Sequence, residues 1–301
     1  MIRIYDRKEK KLMEERVVGE KFLKLLYERP YGRPLLFLIR RKFFSTFYGR
    51  LMDTRRSRGM IGPFIRDHGI AMEESMVKAE DFTSFNDFFR RQLKPSARPF
   101  DPSPHTFPSP ADSRLLAFTD ISIHEVIQVK GLTYSLKELL KNPVLAENYQ
   151  GGTVLVFRLN PLDYHRFHFV DEGIPHPSEN INGFYYSVNP MALKTIPRVY
   201  LENKRAITRF DSRHFGTLLY VEVGATNVGT IIQTHEACLP VKKGSEKGYF
   251  EFGGSTVILF VEKGRLTLHE DILKASKEGI ETRVLCGETI GEAVNSETVH
   301  P

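Results

Sequence analysis

Tyr249-Phe250-Glu251-Phe252-Gly253-Gly254-Ser255-Thr256-Val257-Ile258-Leu259-Phe260-Val261 sets two strand-like runs on either side of a Gly-Gly-Ser turn. The segment from Thr256 to Val261 is continuously apolar after its first residue and rich in β-formers, so it reads as a buried strand. Glycine weakens a strand interior and marks a sharp bend or a close backbone approach. Taken alone, Gly253-Gly254-Ser255-Thr256 reads as a β-turn, because Gly and Ser are common turn residues. A Gly-Ser bond held in a strained turn has a second reading. The serine hydroxyl attacks the carbonyl before it, so that Gly254-Ser255 is a bond the chain cuts for itself. Ser255 then becomes the precursor of a built-in electrophile.

Working outward, further short β-type runs occur at Thr153 to Phe157, Thr217 to Val223 and Gly229 to Thr234, separated by Gly and polar turns. One helix candidate, Ser135 to Lys141, interrupts them. The βαβ rhythm of a doubly wound sheet is missing, and a mostly antiparallel sandwich or barrel-like core fits better. Before this core, Pro95, Pro99, Pro102, Pro104, Pro108 and Pro110 predict a rigid connector. A short helix precedes them at residues 84–93, with Ser84 as N-cap and Asp87 in its first turn.

The first 60 residues hold 17 Lys and Arg against 7 Asp and Glu, a net of +10; the remaining 241 residues must carry −4 to give the chain's +6. Residues 14–52 predict amphipathic helices broken at Pro30 and Pro34, with Val18, Phe22 and Leu25 or Leu26, then Leu36, Ile39, Phe43, Phe47 and Leu51 at helical spacing. Arg40, Arg41, Lys42 and Arg50 interleave with the second set. Such helices suit either an anionic membrane surface or a layer packed on the chain's own core. The basic residues form no helix-turn-helix or RNA-recognition pattern, so nucleic acid is not an expected partner. The fold expectation is therefore α+β: a basic helical region over residues 1–80, then a β-rich core over residues 81–301.

In this 301-residue chain, 41% of residues are hydrophobic and 27% charged, and Cys238 and Cys286 are its cysteines. Neither lies in a metal-ligand spacing, so neither a disulfide framework nor a zinc site is expected, and reduced cytoplasm is the default compartment. No run is apolar enough to span a bilayer, and a signal or transit peptide is not expected at the N-terminus.

Three residue types suited to serine chemistry stand apart in sequence. His165 and His168 lie in Asn160-Pro161-Leu162-Asp163-Tyr164-His165-Arg166-Phe167-His168-Phe169. Positions three apart fall on opposite faces of a strand and on one face of a helix or turn, and the sequence leaves this open. No carboxylate or Cys cluster completes a metal site around them. Asp112 lies in Pro108-Ser109-Pro110-Ala111-Asp112 and alone reads as a turn residue or cap. A serine that attacks an amide needs a base, and the base needs an orienting group.

The whole set resembles the phosphatidylserine decarboxylase family. The matching segments are Phe85 to Pro95, Ser109 to Asp112, Lys130 to Leu136, Asp163 to His168, Ser187 to Pro190, Val223 to Gly229 and Gly253 to Thr256, in the family's order. Two departures stand out. Ser113 follows Pro-Ala-Asp where the family commonly has Gly, and Gly253 stands where it often has Leu or Val. The resemblance implies that Asp112 orients His168 and that His168 takes the proton from Ser255. Attack on Gly254 then gives an ester, and elimination and hydrolysis leave a pyruvoyl group derived from Ser255. A β-chain of residues 1–254 and an α-chain of residues 255–301 would stay associated, and a homodimer is compatible with this.

By the same resemblance, the pyruvoyl forms a Schiff base with phosphatidylserine and releases CO2, giving phosphatidylethanolamine. This is a job for which many enzymes borrow pyridoxal phosphate. His165 would contact substrate or deliver a proton. The implied location is peripheral, on the cytoplasmic side of the cell membrane, against anionic phospholipid. A serine hydrolase using Ser255, His168 and Asp112 is the alternative, although Gly-x-Ser-x-Gly is absent. A non-catalytic carrier or membrane-binding module is a third reading, without a lysine in a clear carrier motif.

Overall fold

Ser255–Val261 is a strand buried at every position. It lies antiparallel between Gly216–Val223 and Thr153–Leu159, with Ser255 opposite Leu159 and Thr256 opposite Val223. The computed structural model describes residues 2–124, 126–129, 132–196, 198–225, 231–253 and 255–294. Among these, ten strands form one sheet. Its main path runs Glu179–Ile181, Arg205–Ser212, Gly216–Val223, Ser255–Val261, Thr153–Leu159, Ser113–Thr119, Glu281–Val284, Arg3–Asp6 and Lys11–Glu14, and Gly173–Pro175 also pairs with Arg205–Ser212. Every pairing is antiparallel except Arg3–Asp6 with Glu281–Val284.

The apolar runs are continuous because both faces of this sheet are covered. Ile258 and Phe260 join Val154, Val156, Leu219 and Val221 in one core, together with helices. Val257, Leu259 and Val261 join Leu155, Phe157, Leu218 and Tyr220 in a second core on the opposite face. That face is capped by a three-stranded sheet of Ile231–Gln233, Glu246–Phe250 and Arg166–His168. The period of two along each strand produces this division.

The barrel-like closure expected from the strand pattern does not form among the described residues. The sheet stays open, and its last strand, Lys11–Glu14, is exposed throughout. A short charged edge resists further pairing. That strand also revises the picture of the first 80 residues, which begin with a hairpin built into the main sheet rather than with helix.

Helices follow at Glu20–Glu28, Arg33–Ile39, Lys42–Met52 and Ile61–His68. Pro30 lies in a 3-10 turn between the first two, and Pro34 falls in the first turn of the next, where a missing N–H costs nothing. Leu26, Tyr27, Leu36 and Ile39 pack into the first core, so these helices do form a layer on the chain's own body. Their other side leaves Phe43 82% and Phe47 61% exposed. No helix among the described residues is long and apolar enough to cross a membrane.

The expected helix at 84–93 shortens to Phe85–Phe89. Ser84 caps it by accepting from the Asp87 amide at 3.1 Å. Its Phe85, Phe88 and Phe89 are buried in a third cluster with Met52, Ile61 and Phe82, and Phe252 packs against it. The chain entering the Gly-Gly-Ser turn is thereby fixed to the helical layer.

Candidate active site

The turn before Ser255 is anchored on both sides. Upstream, the Phe252 amide donates to Asn86 Oδ1 at 3.1 Å, and the Phe252 ring meets Phe85 and Phe89 edge-on at 4.9 and 5.0 Å. Downstream, Ser255 enters the sheet ladder. Between these anchors Gly253 has φ 144°, a backbone region that Leu or Val would enter only with strain. Gly254, half of the expected scissile bond, lies outside the described residues, as do Thr226 to Gly229 and Lys130-Gly131 of the quoted motifs.

Ser255 is fully buried. Its Oγ lies 3.3 Å from Nδ1 of His165, itself fully buried. The other ring nitrogen of His165, Nε2, lies 2.9 Å from the Asn160 carbonyl oxygen. A carbonyl only accepts, so Nε2 carries the proton and Nδ1 presents a lone pair to the serine hydroxyl. Burial drives the His165 pKa down to about 3, with Arg91 and Arg114 adding to the effect, so the ring is neutral near pH 7. Phe89 stacks on it at 4.0 Å. The Asn160 carbonyl is held in turn by the Asp163 amide at 2.8 Å, and the Asp163 carboxylate binds the Asn160 amide and Arg114.

His168 is placed differently. Its Nδ1 donates to the Gly244 carbonyl at 2.9 Å, and Nε2 accepts from the Tyr164 hydroxyl at 3.2 Å. Burial lowers its pKa. The reason for the divergence is local: Arg166–His168 is a strand, His165 directly precedes it, and the two rings leave the chain toward different surroundings.

Asp112 is gripped by Arg98 through both carboxylate oxygens, at 2.8 and 2.7 Å, and it accepts the Cys286 amide at 2.8 Å. Arg98 also pairs with Glu74 at 3.0 Å. The Asp112 charge acts on His168, whose amide donates to the Pro110 carbonyl at 2.9 Å. Asp112 and His168 are therefore neighbours. Among the described residues, however, no hydrogen bond joins Asp112 to His168 or His168 to Ser255. The structure brings Ser255 to His165. It holds His168 with Tyr164 and Gly244, and Asp112 with Arg98.

Ser113, where the family commonly has Gly, begins the strand Ser113–Thr119 without a positive φ and needs no glycine freedom. Asn189 of the Ser-Val-Asn-Pro segment caps the helix Pro190–Thr195 by accepting from Met191 N, which gives that motif a structural use. Sequence reasoning passed over Phe89, Asn160, Tyr164 and Arg98 as site residues. Each lies inside or beside a quoted motif, and only the folded geometry gives them partners. No group of three or more metal-ligating side chains occurs among the described residues.

Comparison with known proteins agrees with this arrangement of motifs. A family model for phosphatidylserine decarboxylase matches residues 85–292. A phosphatidylserine decarboxylase proenzyme of Clostridium botulinum (strain Alaska E43 / Type E3) is 50% identical over 295 residues, covering 98% of this chain and 100% of the relative. One of Clostridium novyi (strain NT) is 52% identical, covering 97% and 99%. Another, of Desulfitobacterium hafniense (strain DSM 10664 / DCB-2), is 49% identical over 97% of this chain and 98% of the relative. With a match that runs from the N-terminal hairpin through the serine turn, the chain belongs to the phosphatidylserine decarboxylase family, a family of decarboxylases.

Proposed function

We propose that this chain is a proenzyme that cuts its own Gly254-Ser255 bond and then converts phosphatidylserine to phosphatidylethanolamine and CO2 as a pyruvoyl-dependent carboxy-lyase. One observation carries this reading. Ser255 is fully buried, hydrogen-bonded to a neutral imidazole, and two residues beyond a glycine at φ 144°. Before the cut, a serine sealed from solvent meets no diffusing substrate but lies against its own backbone; substrate needs to reach only the chain end that the cut frees at 255. The same burial weighs against a serine hydrolase.

In the proposed cleavage the Ser255 proton passes to Nδ1 of His165 and Oγ adds to the Gly254 carbonyl carbon. The C–N bond breaks, its nitrogen regains a proton, and an ester replaces the amide. Loss of the Ser255 α-proton together with the ester C–O bond leaves a Gly254 carboxylate and a dehydroalanine at 255. Water then replaces the nitrogen as ammonia and leaves a ketone. Position 255 suits such a group, because Phe89 and His165 keep it dry and a ring nitrogen faces it. A pyruvoyl ketone there supplies an electron sink for the loss of CO2. His165 stays within reach for substrate contact or proton delivery.

The resemblance assigns the proton to His168 with Asp112 behind it. The neighbourhood of those two residues favours that second reading, which requires His168 to leave Tyr164 and Gly244. The two fragments would stay together, since the strand from Ser255 remains paired on both sides at the sheet centre. The exposed Phe and basic residues of the N-terminal helices support docking on anionic phospholipid at the cytoplasmic face of the cell membrane.

Expression followed by gel analysis and mass spectrometry tests the proposal. Fragments of residues 1–254 and 255–301, with a blocked N-terminus on the second, are expected, and Ser255→Ala should give neither fragments nor CO2. A full-length band with intact Ser255 that no incubation splits would overturn it.

A further inference from the structure

Arg91 is 8% exposed, yet its guanidinium has no hydrogen bond and no ion pair among the described residues, and its Nε is sealed from solvent without a partner. Its guanidinium lies over the Phe88 ring, 5.1 Å from the ring centre. Nearby buried arginines are matched: Arg98 by Asp112 and Glu74, Arg114 by Asp163 and Glu15, Arg158 by Glu15 and Glu281. Burial pushes the Arg91 pKa down, and the charges of Asp112, Asp163 and Glu74 offset this only in part. Removing a charge from water without pairing it is costly, so a residue kept this way points to a ligand that completes it.

Arg91 lines an open cavity of about 610 Å³ with Arg98, Arg114, Asp112, Asp163 and Tyr164, and the carboxylates of Glu9, Glu14, Glu15 and Glu74 also line it. The two aspartates are already committed to Arg98 and Arg114. Among the buried charged side chains of the cavity wall, Arg91 is the one left without an ion pair, and the cavity's size suits a headgroup-sized ligand. The reacting centre adjoins it. Phe89, two residues before Arg91, stacks on His165, and the Arg90 carbonyl accepts from Arg166 at 2.9 Å. Tyr164 of the cavity wall directly precedes His165 in the chain.

We propose that Arg91 anchors an oxyanion subsite of the phosphate class and that it receives the phosphodiester of the substrate headgroup. The second clause rests on the decarboxylase reading above. A guanidinium fork matches phosphate oxygens two at a time. The substrate's carboxylate is the poorer occupant: it departs as CO2, and a cation clamped on it would stabilise the ground state over the transition state.

The test compares wild type, Arg91→Gln and Arg91→Lys in three arms. Calorimetry with inorganic phosphate, glycerophosphoserine and L-serine should show the two phosphate-bearing probes weakened by at least about tenfold in Arg91→Gln, with L-serine unchanged. With phosphatidylserine vesicles, KM should rise about tenfold or more while self-cleavage, which needs no lipid, is not slowed. Arg91→Lys keeps the charge without the fork and should fall between the two. It also carries the comparison if Arg91→Gln fails to fold.

Unchanged phosphate affinity in either variant overturns the subsite. Loss of inorganic phosphate binding with KM unchanged overturns the headgroup assignment and leaves a site for free phosphate. A wild-type protein that neither splits nor releases CO2 overturns the decarboxylase reading, while the inorganic phosphate titration still decides the subsite by itself.

Discussion

Ser255 Oγ stands 3.3 Å from Nδ1 of His165, and that imidazole is fixed from behind by the Asn160 carbonyl at 2.9 Å from Nε2. The backbone carbonyl does what a carboxylate does in an Asp-His-Ser set: it selects the tautomer that leaves a lone pair facing the hydroxyl. It supplies no full negative charge to stabilise an imidazolium, so this base is weak. A single intramolecular cut tolerates a weak base better than rapid turnover does, because the reacting carbonyl is already in place.

The two histidines can be separated by following self-cleavage alone. With His165 as the proton acceptor, His165→Ala should slow the appearance of the two fragments by about 10²–10⁴-fold, the usual range for loss of a positioned base. His168→Ala should then slow it far less. Timed gel samples after rapid expression read both rates. The reverse ranking would transfer the role to His168 and would mean that its ring leaves Tyr164 and Gly244 before the cut.

His165 also predicts how stability changes with acid. The unfolded chain protonates this ring near its ordinary value, about 6.5, whereas the folded ring resists until about 3. Between those values the unfolded state holds one more proton. Stability therefore falls as pH falls through that window, by about 1.4 kcal/mol per unit from this group. Urea titrations at pH 7, 6 and 5 on wild type and His165→Gln, both carrying Ser255→Ala to block cleavage, isolate the contribution as a difference in slope. Parallel slopes would contradict a neutral buried His165.

How far the sequence announced this site depends on how local each contact is. The strand Ser255–Val261 and the Ser84-capped helix Phe85–Phe89 were legible because an apolar run and a cap lie within a few residues of one another. The hairpin Arg3–Glu14 was not. Its strands are four residues long and partly charged, and what holds it to the sheet is parallel pairing of Arg3–Asp6 with Glu281–Val284 at the far end of the chain. Likewise His165 and His168 are indistinguishable by spacing until the strand start between them is known. The grip of Arg98 on Asp112 spans a proline-rich connector whose path no periodicity encodes.

Lys247 and Glu222 form a pair 2.8 Å apart, both fully buried, inside the main body. Lys247 Nζ also donates to Thr208 Oγ1 and Gln233 Oε1, and burial lowers its pKa. Lys247→Met should destabilise the protein by about 3–5 kcal/mol, because it strands the Glu222 charge in the core. Combining it with Glu222→Leu should recover most of that loss, since both charges then disappear together. Thermal and urea unfolding of the single and double variants measure this. Additive losses would mean that the pair is not coupled.

The N-terminal helices carry an apolar surface that their own packing leaves uncovered. Phe43 and Phe47 lie one turn apart on Lys42–Met52, 82% and 61% exposed, near Arg41, Lys42 and Arg50. Burying a phenylalanine side chain contributes about 1.5–3 kcal/mol, and each nearby cation adds about 1 kcal/mol at an anionic surface. Replacing both rings, Phe43→Ser with Phe47→Ser, should lower partitioning onto vesicles rich in phosphatidylglycerol by at least about tenfold. Added salt should weaken the wild-type association further by screening the basic residues. Self-cleavage and turnover of soluble glycerophosphoserine should be unaffected, because neither ring touches the Ser255 site. Vesicle flotation paired with CO2 release from lipid and soluble substrates checks both halves. Equal flotation of wild type and the double variant would assign membrane contact to another surface.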